Sequence, residues 1–175
     1  IDADAHVLET PITWSYVEGA DKAYQPLVVN YSGDQVKSNE GGAVRQYWVV
    51  ENRLQPKELN VGSNTSEEAR EMRDIDKRLA HMDELEIDVQ VLFPTLFLRP
   101  VTQNPKSEMV LTKSYNRWLA DIWKKSKERL LWAAKFPVLT PAAWEDELRF
   151  AKDNGACAIF VRGLEYERRL DRKST

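Results

Sequence analysis

Ile1-Asp2-Ala3-Asp4-Ala5-His6-Val7-Leu8-Glu9 opens the chain as a β-strand with two unlike faces. At a period of two, Ile1, Ala3, Ala5 and Val7 share one face, and Asp2, Asp4 and His6 share the other. An ordinary half-exposed strand with its polar face in water reads this way. So does a two-toothed metal clamp. A carboxylate and an imidazole two positions apart, aimed alike, both suit zinc or a similar divalent ion at roughly 2.0–2.2 Å. Spacing leaves the two readings open. Any metal argument runs through His6 or His81, the two histidines of the chain.

Outward from this strand the chain alternates strand and helix. Thr10-Pro11 reads as a cap and first helical position for a short helix carrying Trp14 and Val17. Pro26 to Tyr31 and Ala43 to Glu51 are β-rich and separated by Gly33 and Gly41-Gly42. They read as a hairpin-type insertion within 18–64. Residues 52–64 are polar and read as an irregular loop over a site. Thr65-Ser66-Glu67-Glu68 fits a capping box with Thr65 as cap. Met72, Ile75, Leu79, Met82 and Leu85 then form the apolar stripe of one helix ending near Glu86.

Ile87 to Phe93 is a short apolar strand stopped by Pro94. Asn104-Pro105 starts a helix whose buried face is Tyr115, Trp118, Leu119, Ile122 and Trp123. Leu130 to Phe136 is the next strand. Thr140-Pro141 caps a further helix, ended by Asn154-Gly155. Ala156 to Val161 is the fourth strand, and beyond Gly163 the charged chain shows no clear element. Trp118, Trp123 and Trp144 sit at helix-packing positions and read as mostly core. Cys157 reads as buried and inert.

Strands without strict alternation, joined through helices, imply an α/β protein with a parallel sheet and helices outside. The strands near 1–8, 87–93, 130–136 and 156–162 are expected to be parallel neighbours. No glycine-rich loop follows the first strand, which disfavours a dinucleotide-binding sheet. Four strand–helix steps are half of a (β/α)8 TIM barrel, usually about 250 residues long. The 175 residues read as a single domain supplying the first four steps. A half barrel is expected to leave strand edges and an apolar face uncovered.

Apolar residues make up 42%, charged residues 30%, and the net charge is −3. There is no basic patch to suggest nucleic acid, no apolar run of membrane-spanning length, and no signal peptide at the start. The single cysteine cannot form an internal disulfide, so a reducing compartment, the cytoplasm, is expected.

Ile1-Asp2-Ala3-Asp4-Ala5-His6, opening a barrel, resembles the amidohydrolase superfamily, where a His-x-His or acidic-x-His pair sits on strand one. Arg78-Leu79-Ala80-His81-Met82-Asp83-Glu84, with Ile87-Asp88-Val89-Gln90-Val91-Leu92, resembles its amidohydrolase-2 branch. That branch includes aminocarboxymuconate semialdehyde decarboxylase and resorcylate-type decarboxylases. Tyr115-Asn116-Arg117-Trp118-Leu119, Leu131 to Pro137 and Gly155-Ala156 add to the likeness, which runs over most of residues 1–163 and is weakest over 18–64. Glu86 departs from it, standing where the family usually turns on glycine. Asp4 stands where several members have histidine, which keeps a ligand but makes it anionic.

The resemblance implies a metal-dependent-hydrolase type of (β/α)8 barrel. It implies one divalent metal, zinc with manganese as the alternative, bound at the C-terminal ends of the strands. Asp4 and His6 become metal ligands. The other ligands and the acid–base residues are expected on later barrel strands, beyond residue 175, so this segment alone is expected to be inactive. Asp2, deeper on the same face, is expected to hydrogen-bond to the site rather than to bind the metal. Glu9 reads equally as a site residue or a helix-start carboxylate. Phe93, at a strand end, is a candidate pocket wall. Arg162, at another strand end, and Arg53, in the insertion, are candidate grips for a substrate carboxylate, with Arg45 an alternative to Arg53. His81 reads as a helix-surface or helix-interface residue.

Three functions follow as expectations. The first is a metal-dependent carboxy-lyase, a non-oxidative decarboxylase of an aromatic or unsaturated carboxylic acid. The second is a metal-dependent hydrolase of a lactone, amide or imine on the same scaffold. The third is a non-catalytic fragment or interaction module. The expected partner is a small-molecule acid, and the expected assembly a homodimer.

Overall fold

The computed structural model describes residues 1–31, 45–57, 65–165 and 168–169. Gly33, Gly41, Gly42 and residues 58–64 of the expected insertion lie outside the described residues. Four strands form one parallel sheet in the order β1, β5, β6, β7. These are β1 (Asp2–His6), β5 (Gln90–Phe93), β6 (Leu130–Lys135) and β7 (Ala156–Phe160). All four are the strands expected from the apolar runs, and each neighbours the next along the chain. The fold is mixed α/β, consistent with part of a TIM barrel.

A second sheet is antiparallel, with β2 (Leu27–Tyr31), β3 (Arg45–Val50) and β4 (Arg53–Pro56) in order. The first two are the expected hairpin strands. The third corrects the reading of residues 52–64 as irregular throughout. Arg53-Leu54-Gln55-Pro56 carries little strand signal of its own. Its pairing is imposed by the two-residue turn at Glu51 and Asn52, with φ of 48° and 64°. Left-handed turns of this kind twist two strands together. The sheet faces the core through Trp48, 2% exposed, whose ring meets Trp14 edge-on at 5.9 Å.

The helix expected over 65–86 is two helices, α1 (Glu67–Arg70) and α2 (Ile75–Glu84). Met72 takes φ 54° in the turn between them. Asp74 restarts the helix by accepting from the Lys77 amide at 2.9 Å. The α1 cap is Ser66, not Thr65: the Ser66 side chain accepts from Ala69 N. Leu85 is 54% exposed, while Arg78 takes its place in the interior at 6%. Arg78 is tolerated there because its Nε donates to Gln90 Oε1 at 2.8 Å.

Helix α3 (Pro105–Lys125) begins at Asn104, whose side chain accepts from the Lys106 and Ser107 amides. It buries Tyr115, Trp118, Leu119 and Ile122 against the sheet, and Trp123 in part. Helix α4 (Trp144–Asp153) follows a 3-10 turn over Pro141–Ala143, and Thr140 makes no side-chain cap. Thr10 does cap, but over a single 3-10 turn, Pro11–Trp14. Trp144 is 39% exposed rather than core, with Nε1 donating to Pro137 O. Beyond Gly163, where no element was expected, β8 (Leu164–Glu165) pairs antiparallel with β9 (Arg168–Arg169).

Cys157 is exposed, contrary to expectation. It lies on β7, which is an edge of the four-stranded sheet among the described residues. Partial burial still pushes its thiol upward, which keeps it a weak nucleophile.

Candidate functional site

Strand β1 is not regular. Asp2 pairs with Gln90 and Ala5 with Leu92, so three steps on β1 match two on β5. The extra residue is a bulge at Ala3–Asp4, a device that re-aims a side chain. The simple alternation therefore breaks: Ala5 and Val7 are buried, whereas Ile1 is 86% exposed. Asp2 is tied down. Its Oδ2 accepts from Gln90 Nε2 at 2.9 Å and its Oδ1 from Asp4 N at 3.2 Å. Through Gln90 it joins Arg78. Asp2 thus holds the bulge from below, by way of the Asp4 backbone.

After the bulge, Asp4 and His6 come together. Asp4 Oδ1 and His6 Nε2 are 3.7 Å apart, and the Asp4 side chain is 91% exposed against 26% for His6. His6 Nδ1 lies 3.1 Å from Pro94 O. A carbonyl only accepts, so Nδ1 carries a proton, and Nε2 is the ring nitrogen turned toward Asp4. A carboxylate oxygen and an imidazole nitrogen thus stand close together on one strand. A separation of 3.7 Å suits two ligands of one four-coordinate ion with bonds of about 2.0–2.2 Å. The residues fit a divalent metal in type and spacing. A catalytic zinc site usually has three protein ligands. Among the described residues no group of three His, Cys, Asp or Glu side chains is placed to hold a metal.

The other residues singled out fall in different places. Phe93, next to His6 in space, has its ring centroid 6.2 Å from the imidazole and 6.4 Å from Phe160. Phe160 carries no local signal of a site residue; its place follows from its register with Lys135 on β6. Arg162 is half-buried just past β7. Arg53 is exposed on β4, directly after the hairpin turn, where its backbone pairs with Val50. The nearby turn residue Glu51 accepts a hydrogen bond from Thr102 Oγ1. No described contact joins Arg53 to the His6 group. The Arg45 side chain lies outside the described residues. His81 is half-buried on α2.

Glu9 is where the local reading fell furthest short. It is 3% exposed. Its two oxygens accept from Thr95 N at 3.1 Å and Leu96 N at 2.9 Å. These amides open the 3-10 turn Leu96–Leu98, so Glu9 serves a turn far along the chain and not the one beside it. Burial pushes its carboxyl up to about 7, against the pull of those amides and of Lys57. Lys57 is itself buried, donating to Glu71 Oε1 and Gln46 Oε1, each at 3.1 Å. Leu8, Glu9, Trp48, Lys57, Thr95 and Leu96 line a small cleft behind the strand ends. A larger groove, about 540 Å³, lies between Tyr16, Met72, Ile75, Trp118, Asp121 and Ile122, and includes none of the site residues above. No described helix is long and apolar enough to cross a membrane.

No family model matches the chain, and no curated protein does. Among solved structures, the chain is similar to the amidohydrolase map2389c from Mycobacterium avium subsp. paratuberculosis K-10. The TM-score is 0.67 at 18% identity, covering 94% of this chain and 48% of that one. Identity this low speaks for fold and leaves residue roles aside. The chain therefore shares its fold with about half the length of an amidohydrolase.

Proposed function

We propose that the chain is part of a metal-dependent enzyme of the amidohydrolase-2 type, a non-oxidative decarboxylase of an aromatic or unsaturated carboxylic acid. The observation that carries this reading is the way His6 is held, with one ring nitrogen on a backbone carbonyl and the other turned to Asp4. Its Nδ1 is spent on Pro94 O, and its free Nε2 stands 3.7 Å from Asp4 Oδ1 at the carboxyl ends of a parallel sheet. In this reading Asp4 contributes a carboxylate oxygen and His6 its Nε2. A bound zinc or manganese ion supplies Lewis-acid stabilisation of the charge that develops as carbon dioxide leaves. Phe93, edge-on to Phe160, offers an apolar wall to an unsaturated substrate. Arg162 and Arg53 carry planar donor forks of the kind that grip a carboxylate. In this reading the remaining ligands and the proton-handling group come from outside the described residues.

A hydrolase of a lactone, amide or imine is the second reading. The name of the structurally similar protein, an amidohydrolase, favours it.

The test is elemental analysis of the full-length protein. Close to one divalent ion per chain is expected, and His6→Ala should strip it. Undiminished metal in that variant would rule the ligand assignment out. A metal-free wild type would leave the chain a non-catalytic module. Carbon dioxide release against water addition, on candidate acids and lactones, then separates lyase from hydrolase.

A further inference from the structure

The strand ends that carry the candidate site are joined by more than the β-ladder. Val7 N donates to Phe93 O at 3.0 Å. Thr95 Oγ1 donates to Val7 O at 2.7 Å. The two remaining links meet on a single peptide unit. Pro94 O, which accepts from His6 Nδ1, and Thr95 N, which donates to Glu9 Oε1, belong to the same Pro94–Thr95 peptide. That unit is planar and stiff, and in a trans peptide its C=O and N–H point in opposite directions. His6 and Glu9 therefore grip the two ends of one rigid plate. Glu9 Oε2 also accepts from Leu96 N, which stops the plate turning about the chain axis.

We propose that Glu9 is a positioning residue for His6. By holding the N–H end of the Pro94–Thr95 peptide it aims the C=O end at Nδ1, and so keeps the Nδ1 hydrogen bond in place and Nε2 turned to Asp4. The Glu9 carboxylate also polarises the peptide, making Pro94 O a better acceptor. Glu9 is 3% exposed, so no solvent competes for the two amides. The charged and titratable groups facing it are Lys57, from the end of β4, and Tyr115, from α3. The proposal deepens the metal reading of His6 and rests on it for its functional consequence, but the tautomer itself can be read without any metal.

The test uses protein labelled with nitrogen-15 in histidine, stripped of metal, at pH 8. Two histidine signals are expected, and His81→Gln identifies that of His6. Wild type should show His6 with the proton on Nδ1. Glu9→Gln keeps the shape of the side chain but turns an N–H donor toward one of the amides, and should shift His6 toward the Nε2-protonated form. Glu9→Asp, with the same charge and a shorter reach, should shift it in the same direction and serves if the glutamine variant does not fold. Ile122→Val, a packing change in the separate groove that includes none of the site residues, should leave the tautomer alone. Titration with zinc against a chelator should then show affinity about 10–100-fold weaker in the glutamine variant, the usual cost of losing an outer support. An unmoved His6 tautomer in a folded Glu9 variant overturns the proposal. A moved tautomer in a protein whose zinc binding ignores His6→Ala upholds the positioning and sinks the metal reading instead.

Discussion

The side-chain amide of Asn116 pairs with the backbone of Lys135 as a neighbouring strand would. Its Oδ1 accepts from Lys135 N at 3.0 Å, and its Nδ2 donates to Lys135 O at 3.0 Å. The same Nδ2 reaches Glu147 Oε2, which also takes a bond from Arg117 Nη1 at 2.8 Å. One fully buried amide therefore ties α3 to β6 and to α4. Replacing it by leucine of similar volume leaves a backbone donor and acceptor unpaired in a dry place. The expected loss is about 2–4 kcal/mol, read from chemical denaturation. A loss under about 0.5 kcal/mol would show that water takes over the pairing.

Gly155 is held by both its backbone and its neighbour. It takes φ 83°, and an added Cβ would stand 2.2 Å from the Trp123 ring. The left-handed conformation costs roughly 1 kcal/mol in a non-glycine residue, and overpacking 1–3 kcal/mol more. Gly155→Ala should therefore destabilise by about 2–4 kcal/mol. Adding Trp123→Leu should recover part of that, since the two sites share one space. Strict additivity of the two changes would place the cost in the backbone alone.

Glu86 ends α2 with φ 55°, at the position where a glycine normally sits. The amide of Ile87 donates to Met82 O, and that of Glu86 to Asp83 O, which completes the left-handed helix end. The side chain is exposed and gains nothing there. Glu86→Gly should stabilise the protein by about 1 kcal/mol, seen as a higher denaturation midpoint with an unchanged slope. A lower midpoint would mean that the flexibility added to the unfolded chain outweighs the relief of strain.

Glu9 gives stability a pH dependence. In the fold its carboxyl binds a proton more tightly than in the unfolded chain, at about 7 against 4.5. The folded state then holds the extra proton between these values. Its contribution is complete below the unfolded value and is lost as pH rises through the folded one. The size is roughly 3 kcal/mol. Wild-type stability should fall between pH 5 and pH 8, and Glu9→Gln should flatten that fall. An equal slope in the variant would assign the titration to another group.

The strands and helices were legible because the interactions behind them are local. The apolar run closed by Pro94, the helix ended by Gly155, the Asn104 cap, and the stripe from Tyr115 to Ile122 concern residues a few positions apart. The pairing of Asp4 with His6 was legible in part, as two donors on one strand. The rest depended on residues distant in sequence. The bulge between Asp2 and Ala5 comes from the register of β1 on β5. The tautomer of His6 is set by a carbonyl 88 positions away, and the partners of Glu9 lie 86 and 87 positions away. Likewise β4 exists because β3 offers it an edge, and Arg78 is inside because Gln90 meets it. A side chain's neighbours across the sheet decide whether it is dry, paired or protonated, and no window of sequence contains those neighbours.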